Sequence, residues 1–254
     1  MKTVKGLHEK MGTFENANTS FHQAARCKRY TNEVLAFSMV KEEELLRATE
    51  EIQNLTYRQG EYKIFKVFEP KERLIMALPF YDRVVQHMIC NAIQPVFENG
   101  FYYHSYACRS GKGMHAASDT LYQWMYETEV KQGLRMYAFK GDISKYFASI
   151  PHDKLKDENR RYIGDKKALM LMDDIIDHNG ILPDGVGIPV GNLTSQLFAN
   201  VYGNKLDKFC KHVLHIPYFV RYMDDFIILS DDLEQLKEWV KRIEAVSYTH
   251  LRAH

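Results

Sequence analysis

The chain is predicted to be α+β, with short antiparallel strand pairs set among long helices. Three observations carry this expectation. Tyr218-Phe219-Val220 and Phe226-Ile227-Ile228-Leu229 flank Tyr222-Met223-Asp224-Asp225, which reads as a β-hairpin with acids at its tip. Tyr62, Ile64, Phe65, Val67 and Phe68 read as a strand, Glu69-Pro70-Lys71-Glu72 as a turn, and Arg73 to Leu78 as the returning strand. Elsewhere apolar residues recur at helical spacing, as in Val84, Val85, Met88, Ile89, Ala92, Ile93 and Val96.

The remaining elements follow in order. Residues 1–30 are mixed polar and basic, with Arg26, Lys28, Arg29 and Tyr30 clustered. A helix is expected over 31–56, capped by Thr31 or Asn32, and another from Tyr81 to Phe97. Residues 100–113 read as irregular and aromatic, and Met114 to Val130 as helical. Met136 to Phe139 reads as a short strand ending in Gly141-Asp142. Lys154 to His178 reads as mostly helical, and 181–191, with its Gly and Pro residues, as a loop. Leu193 to Val213 is an expected helix, and Leu233 to Ile243 another after the acidic hairpin. The final stretch, 246–254, continues no period. It resembles a read-through tail, which makes a longer natural protein the expectation.

Composition bounds the class. With 254 residues, 45% hydrophobic and 13% aromatic, the chain can fill a sizeable core. Its 34 basic and 33 acidic residues leave a net charge of +1, less than a nucleic-acid binder usually shows, so any such binding must rest on local patches. Cys27, Cys90, Cys108 and Cys210 form no C-x-x-C pair, which argues against a zinc site and fits a reduced, cytoplasmic setting. No apolar run approaches a membrane span, and the N-terminus lacks a signal-peptide core.

Adjacent acids wedged between two strands are costly unless a cation neutralises them. That points to a divalent metal and to two-metal phosphoryl transfer on a nucleic acid. An Asp-Asp pair alone is usually turn chemistry, and Asp173-Asp174 and Asp231-Asp232 read as helix-surface and helix-start residues. Hydrophobic strands on both sides distinguish Asp224-Asp225. Asp142 ends the strand Tyr137-Ala138-Phe139 and opens Asp142-Ile143-Ser144-Lys145-Tyr146-Phe147. It reads either as a helix N-cap or as a third acid converging with Asp224 and Asp225. Three carboxylates and the Ile143 carbonyl are hard oxygen ligands suited to Mg2+.

Five stretches, taken in order, resemble a reverse transcriptase of the bacterial group related to group II intron enzymes. They are Arg73 through Pro79-Phe80-Tyr81-Asp82-Arg83-Val84-Val85-Gln86, Ser105 through Gly113, Asp142 through Phe147, Gly187 through Gln196, and Tyr222 through Asp225. The resemblance implies fingers over 1–135, interleaved with a palm over 136–245 whose small antiparallel sheet is backed by helices. A thumb would follow and is absent from these residues. It implies catalytic Asp142, Asp224 and Asp225 with Mg2+, and Lys71, Arg73 and Arg109 as cations for the incoming triphosphate. A bare surface role for Arg73 stands beside that one. Phe147 would exclude a 2′-hydroxyl, with ordinary core packing as the alternative, and Gln196 would lie near nucleotide or template. The implied partners are an RNA template, a DNA or RNA primer, deoxynucleoside triphosphates and an accessory protein, with no membrane.

Two departures narrow the resemblance. Val190 stands where relatives carry Gln, within Pro189-Val190-Gly191, and Ser195-Gln196 stands where many have Ser-Pro. Both resemble enzymes of diversity-generating retroelements, which copy a template repeat with errors at adenines. The alternatives are a retron, group II intron or phage-defence reverse transcriptase. Outside the class stand a non-catalytic RNA-binding module, which has no need of three acids, and a nucleotidyl cyclase, which would not carry the Arg73–Gln86 or Ser195-Gln196 motifs.

Overall fold

The structure, a computed structural model, describes residues 3–68 and 72–246. Lys71, with Glu69 and Pro70 of its turn, and residues 247–254 of the expected tail lie outside the described residues.

The mixed polar and basic N-terminal stretch, to which no element was assigned, holds α1 (Leu7–Met11) and α2 (Phe14–Ala24). Thr13 caps α2 by accepting the Asn16 N–H at 3.2 Å, and Ala17, Phe21 and Ala24 form its buried stripe. The single helix expected over 31–56 is two, α3 (Asn32–Met39) and α4 (Lys41–Gln53), separated at Val40 where φ reaches −121°. Strands β1 (Lys63–Phe68) and β2 (Glu72–Ala77) pair antiparallel, from Lys63 opposite Ala77 to Phe68 opposite Glu72. Helix α5 (Phe80–Glu98) follows Pro79. Helix α6 (Met114–Met125) runs into a π turn over Tyr126–Val130.

Strand β3 (Tyr137–Asp142) and the short α7 (Tyr146–Ser149) come next. The helical stretch after them breaks at Ile163-Gly164 into α8 (His152–Tyr162) and α9 (Lys166–Asp177). Helix α10 (Leu193–Lys208) also ends in a π turn, Phe209–Val213. Strands β4 (Tyr218–Tyr222) and β5 (Asp225–Ser230) form the acidic hairpin, and α11 (Leu233–Val246) is the last element. The fold is therefore α+β, with a two-stranded sheet and a three-stranded sheet in the order β3-β5-β4, both antiparallel. No helix among the described residues is long and apolar enough to cross a membrane.

The chain forms two compact units, each built from two separate stretches: 1–99 with 151–198, and 100–150 with 199–254. In the first, α1 and α2 pack on α5, whose Val84, Val85, Met88, Ile89 and Ile93 are fully buried. Rings of Phe21, Phe37 and Phe80 meet edge-on or stacked, with centroids 5.6, 6.0 and 5.1 Å apart. Buried Asp82 accepts the Tyr57 hydroxyl at 2.7 Å and the Gly60 N–H at 3.1 Å, which ties residues 57–60 to α5.

In the second unit one face of the sheet is covered, and the other is open only at its acid-bearing end, where Lys140, Asp142 and Tyr222 are exposed while Val220 and Leu229 on the same face are buried. Side chains alternate across a strand, so Phe139 and Gly141, Phe226 and Ile228, and Phe219 and Arg221 share the inner face. Phe219 and Ile228 are completely buried there. Gly141 suits this packing, because a Cβ on it would overlap the outer edge of the Phe226 ring. Helix α11 packs against β3 and β5, and α6 against β4. Tyr106, Ala117 and Val220 form a further buried cluster, with Leu121 and Trp124 against it.

Candidate active site

The register of the three-stranded sheet builds the site. Asp142, the last residue of β3, is the direct partner of Asp225, the first of β5, and Asp225 is also paired with Tyr222 at the end of β4. Directly opposed residues of an antiparallel pair project to the same side. Asp142 and Asp225 therefore stand together on the open face. Met223-Asp224 is a two-residue hairpin loop with φ +57° at Met223 alone among its two residues, the pattern of a type II′ turn. The Ile143 N–H donates to the Asp224 carbonyl at 3.2 Å, which ties the segment after β3 to the acidic turn. Asp142, Ile143, Asp224 and Asp225 are thus neighbours through backbone pairing.

Two carboxylates paired across a ladder repel unless neutralised. Lys140, two residues before Asp142 on the same open face, places its Nζ 3.4 Å from Asp225 Oδ1 and supplies a positive charge there. The donor set consists of hard, partly exposed carboxylates with a backbone carbonyl available, which fits Mg2+. Among the described residues, no three His, Cys, Asp or Glu side chains are drawn together as ligands of one ion. The gathering of the acids lies in the backbone.

Beneath the open face lies a group that no sequence motif announced. Arg221 is completely buried and forms a bidentate pair with equally buried Asp207, Nε to Oδ1 at 2.6 Å and Nη2 to Oδ2 at 2.8 Å. Burial opposes its charge, but the Asp207 carboxylate outweighs that and holds the guanidinium above its ordinary pKa. Nη2 also donates to Ser105 Oγ at 3.2 Å, and Nη1 to Asn200 Oδ1 at 3.3 Å and to the Met223 carbonyl at 2.9 Å. The Arg221 main chain pairs with residues 104–106, its N–H donating to the His104 carbonyl and its carbonyl accepting from Tyr106. The available signal was parity: Arg221 follows Phe219 by two, so it had to point inward.

The other expected site residues fall as follows. Phe147 is half-buried on α7, its ring edge-on to that of fully buried Tyr146, which donates to the Ala199 carbonyl at 2.7 Å. Left-handed Lys145, φ +52°, makes the bend from β3 into α7. Arg109 holds its own loop: Nη1 donates to the carbonyls of Tyr102 and Ser105, both at 2.8 Å, and the guanidinium lies over the Phe101 ring. Lys112 donates to the Tyr103 carbonyl and lies 3.5 Å from the centroid of that ring.

In the first unit, Arg73 is exposed on β2, opposite Val67 and on the same strand face as Ile75 and Ala77. Ile75 and Ala77 line a cleft of about 650 Å³ together with Lys63, Arg83, Asn192 and exposed Gln196. The stretch around Val190 is pinned by main chain. Met76 N–H donates to the Val190 carbonyl at 3.0 Å, and Gly191, φ +123°, passes so close that a Cβ would sit 2.9 Å from the Met76 carbonyl oxygen. Gln86 Oε1 accepts the Leu193 N–H at 3.1 Å, capping the start of α10, and Asn192 donates to the Tyr62 hydroxyl at 2.8 Å. Two motifs singled out by sequence, Arg73–Gln86 and Gly187–Gln196, are joined here.

An antiparallel sheet presenting strand-borne acids on an open face is the architecture of a nucleotidyl-transferring palm. Residues 66–249 match the family model of the reverse transcriptase (RNA-dependent DNA polymerase), and the chain belongs to that family. It is 28% identical over 134 residues to Protein YkfC of Escherichia coli, covering 50% of this chain and 34% of that protein. It is 29% identical over 137 residues to an uncharacterised 91 kDa protein in the cob intron of Schizosaccharomyces pombe, covering 52% of this chain and 16% of that one. The chain thus spans about a third or less of the length of these curated relatives. Among solved structures, the fold is similar to apo telomerase from Candida tropicalis, with a TM-score of 0.56 at 12% identity over 83% of this chain and 53% of that one. It is also similar to a chain of a partial Cas6-RT-Cas1–Cas2 complex, with a TM-score of 0.55 at 18% identity over 95% and 42%. At these identities the likeness is one of fold.

Proposed function

We propose that the chain adds deoxynucleotides to a primer 3′-hydroxyl, directed by an RNA template. What supports this most is the pairing of Asp142 with Asp225 beside an acidic two-residue turn. Asp142, Asp224, Asp225 and the Ile143 carbonyl would hold Mg2+. When bound, Mg2+ supplies the Lewis acidity that activates the hydroxyl and stabilises the leaving pyrophosphate. Lys140, now 3.4 Å from Asp225 Oδ1, would compete with a cation for that carboxylate. Arg73, with Lys71 beside it in sequence, would meet the triphosphate through charge-assisted hydrogen bonds. The resemblance adds Arg109 to these cations, although its Nη1 is given to carbonyls of its own loop. Phe147 would close the space a 2′-hydroxyl needs, and Gln196 would face nucleotide or template from the cleft wall. Fingers over 1–135 and palm over 136–245 name these roles; the contact-defined units divide the chain elsewhere.

The subtype we propose is the enzyme of a diversity-generating retroelement, acting in the cytoplasm with an accessory protein. Val190 in place of a polar residue supports it, because an apolar side chain beside a nascent pair gives up a hydrogen-bonding contact that would check the base. The test is single-nucleotide incorporation on an RNA template. Val190→Gln is expected to lower misincorporation opposite adenine, and Phe147→Ala to admit ribonucleotides. Unchanged error spectra would reject the subtype, and unchanged sugar selection would reject the role of Phe147.

A further inference from the structure

Met223 stands at the head of the acidic turn. Its φ of +57° occupies the first loop position of a II′-type turn, where glycine is the usual residue and a β-carbon is strained. It is buried, and its carbonyl accepts from Arg221 Nη1 at 2.9 Å. The same guanidinium is fixed on its other edges by Asp207, Ser105 and Asn200. It is held rigidly while gripping the one strained carbonyl that precedes both acids of the turn. The space it occupies is kept open by Gly203 on α10: a Cβ there would lie 2.7 Å from Arg221 Nη1 and 2.7 Å from the Tyr146 hydroxyl.

We propose that Arg221, anchored by Asp207 and admitted by Gly203, is a positioning residue that clamps Met223 in its left-handed conformation and so sets Asp224 and Asp225 for the divalent cation. The clamp rests on the metal chemistry proposed above. It predicts an effect separable from stability. A buried ion pair replaced by apolar residues of similar volume often keeps or gains stability. Such a replacement here would spare the core while removing the donor to Met223. Gly203→Ala removes no hydrogen-bonding group, improves helix propensity, and displaces the guanidinium by contact.

The experiment titrates the 254-residue chain with Mn2+ and reads free Mn2+ by electron paramagnetic resonance, with far-UV circular dichroism as the measure of folding. The variants are Gly203→Ala and the double variant Asp207→Leu/Arg221→Met, with Asp225→Asn as reference for a lost ligand. The expected result is a parent that binds Mn2+ and folded variants that bind about tenfold more weakly or worse, the scale of losing a group that orients metal ligands. Affinity within twofold of the parent in either folded variant would overturn the clamp while leaving the metal site intact. If the double variant unfolds, Gly203→Ala decides. A parent indistinguishable from Asp225→Asn would overturn the metal site itself, and the clamp with it.

Discussion

At the scale of single residues, Asp142 and Asp225 are set against each other by one register pair, and Lys140 moderates their repulsion. Removing one charge should relieve the sheet and at the same time abolish its chemistry. Asp142→Asn is therefore expected to melt at or slightly above the parent temperature without divalent ions, and to lose the shift that Mg2+ gives the parent. Thermal melts with and without Mg2+ read both effects, and a Mg2+ shift of parental size in the variant would contradict the placement. Arg109 shows the other side of residue-scale inference. Its glycine-rich surroundings suggested phosphate, yet its Nη1 is given to two loop carbonyls. Sequence shows which residues can bind an anion, but not which are already satisfied by their own backbone.

At the scale of elements, one carboxylate starts two helices. Asp165 Oδ1 accepts the Lys167 and Ala168 N–H groups at the start of α9, and Oδ2 accepts those of Leu7 at 2.8 Å and His8 at 3.0 Å at the start of α1. Burial works to raise its pKa, but the four backbone donors outweigh burial and hold it below the usual carboxylate value. A depressed folded pKa stabilises above the unfolded value, and that stability is lost as pH falls through the folded one. Asp165→Ala should cost about 1–2 kcal/mol, the range for losing a cap, and Asp165→Asn should blunt the loss of stability below about pH 4. Denaturant melts across pH 2–7 check both, and parallel pH curves for parent and Asn variant would refute the cap. Gly141→Ala is expected to destabilise by about 1–3 kcal/mol through overpacking against Phe226, read in the same melts. A stability equal to the parent would show that the ring moves freely.

Legibility also belongs to this scale. The hairpins were readable because alternation and turn residues are local: β1, β2 and β5 lie within a residue of expectation and β4 within two. Helices α1 and α2 were not, because their apolar residues are diluted by Asn, Gln, Glu and His, and their partner α5 is far away in the chain. The break at Val40 and the π turns after α6 and α10 carry no punctuating Pro or Gly. The three acids could be read as neighbours because Asp142 closes β3, Asp225 opens β5 and Asp224 lies in the turn just before it. The Asp207–Arg221 pair was not, since an Arg in a strand and an Asp in a helix each read as solvated until parity and packing are known.

At the scale of the whole molecule, the chain leaves and re-enters both units, so neither is a continuous segment. Contacts within each unit join residues far apart in sequence. A net charge of +1 gives no global attraction to nucleic acid. The proposed RNA affinity would then rest on local sites such as the cleft carrying Lys28, Lys63 and Arg83. Lys28→Ala/Lys63→Ala is expected to weaken RNA binding and flatten its log–log salt dependence by about 0.7–0.9 per lost phosphate contact. Lys166→Ala/Lys167→Ala on α9 is expected to leave the slope unchanged. Fluorescence anisotropy with a labelled RNA at several salt concentrations distinguishes them, and equal slopes for both pairs would place the RNA elsewhere.

Whether strand register gathers Asp142, Asp224 and Asp225 into a metal-dependent polymerising centre comes down to a single comparison. Single-turnover addition of a deoxynucleotide to a primer on an RNA template, with Mg2+, is compared between the parent and the folded Asp142→Asn and Asp225→Asn variants. Addition by the parent is expected, with a fall of at least about 10²–10³-fold in each variant. Addition at the parental rate by either variant would contradict such a centre.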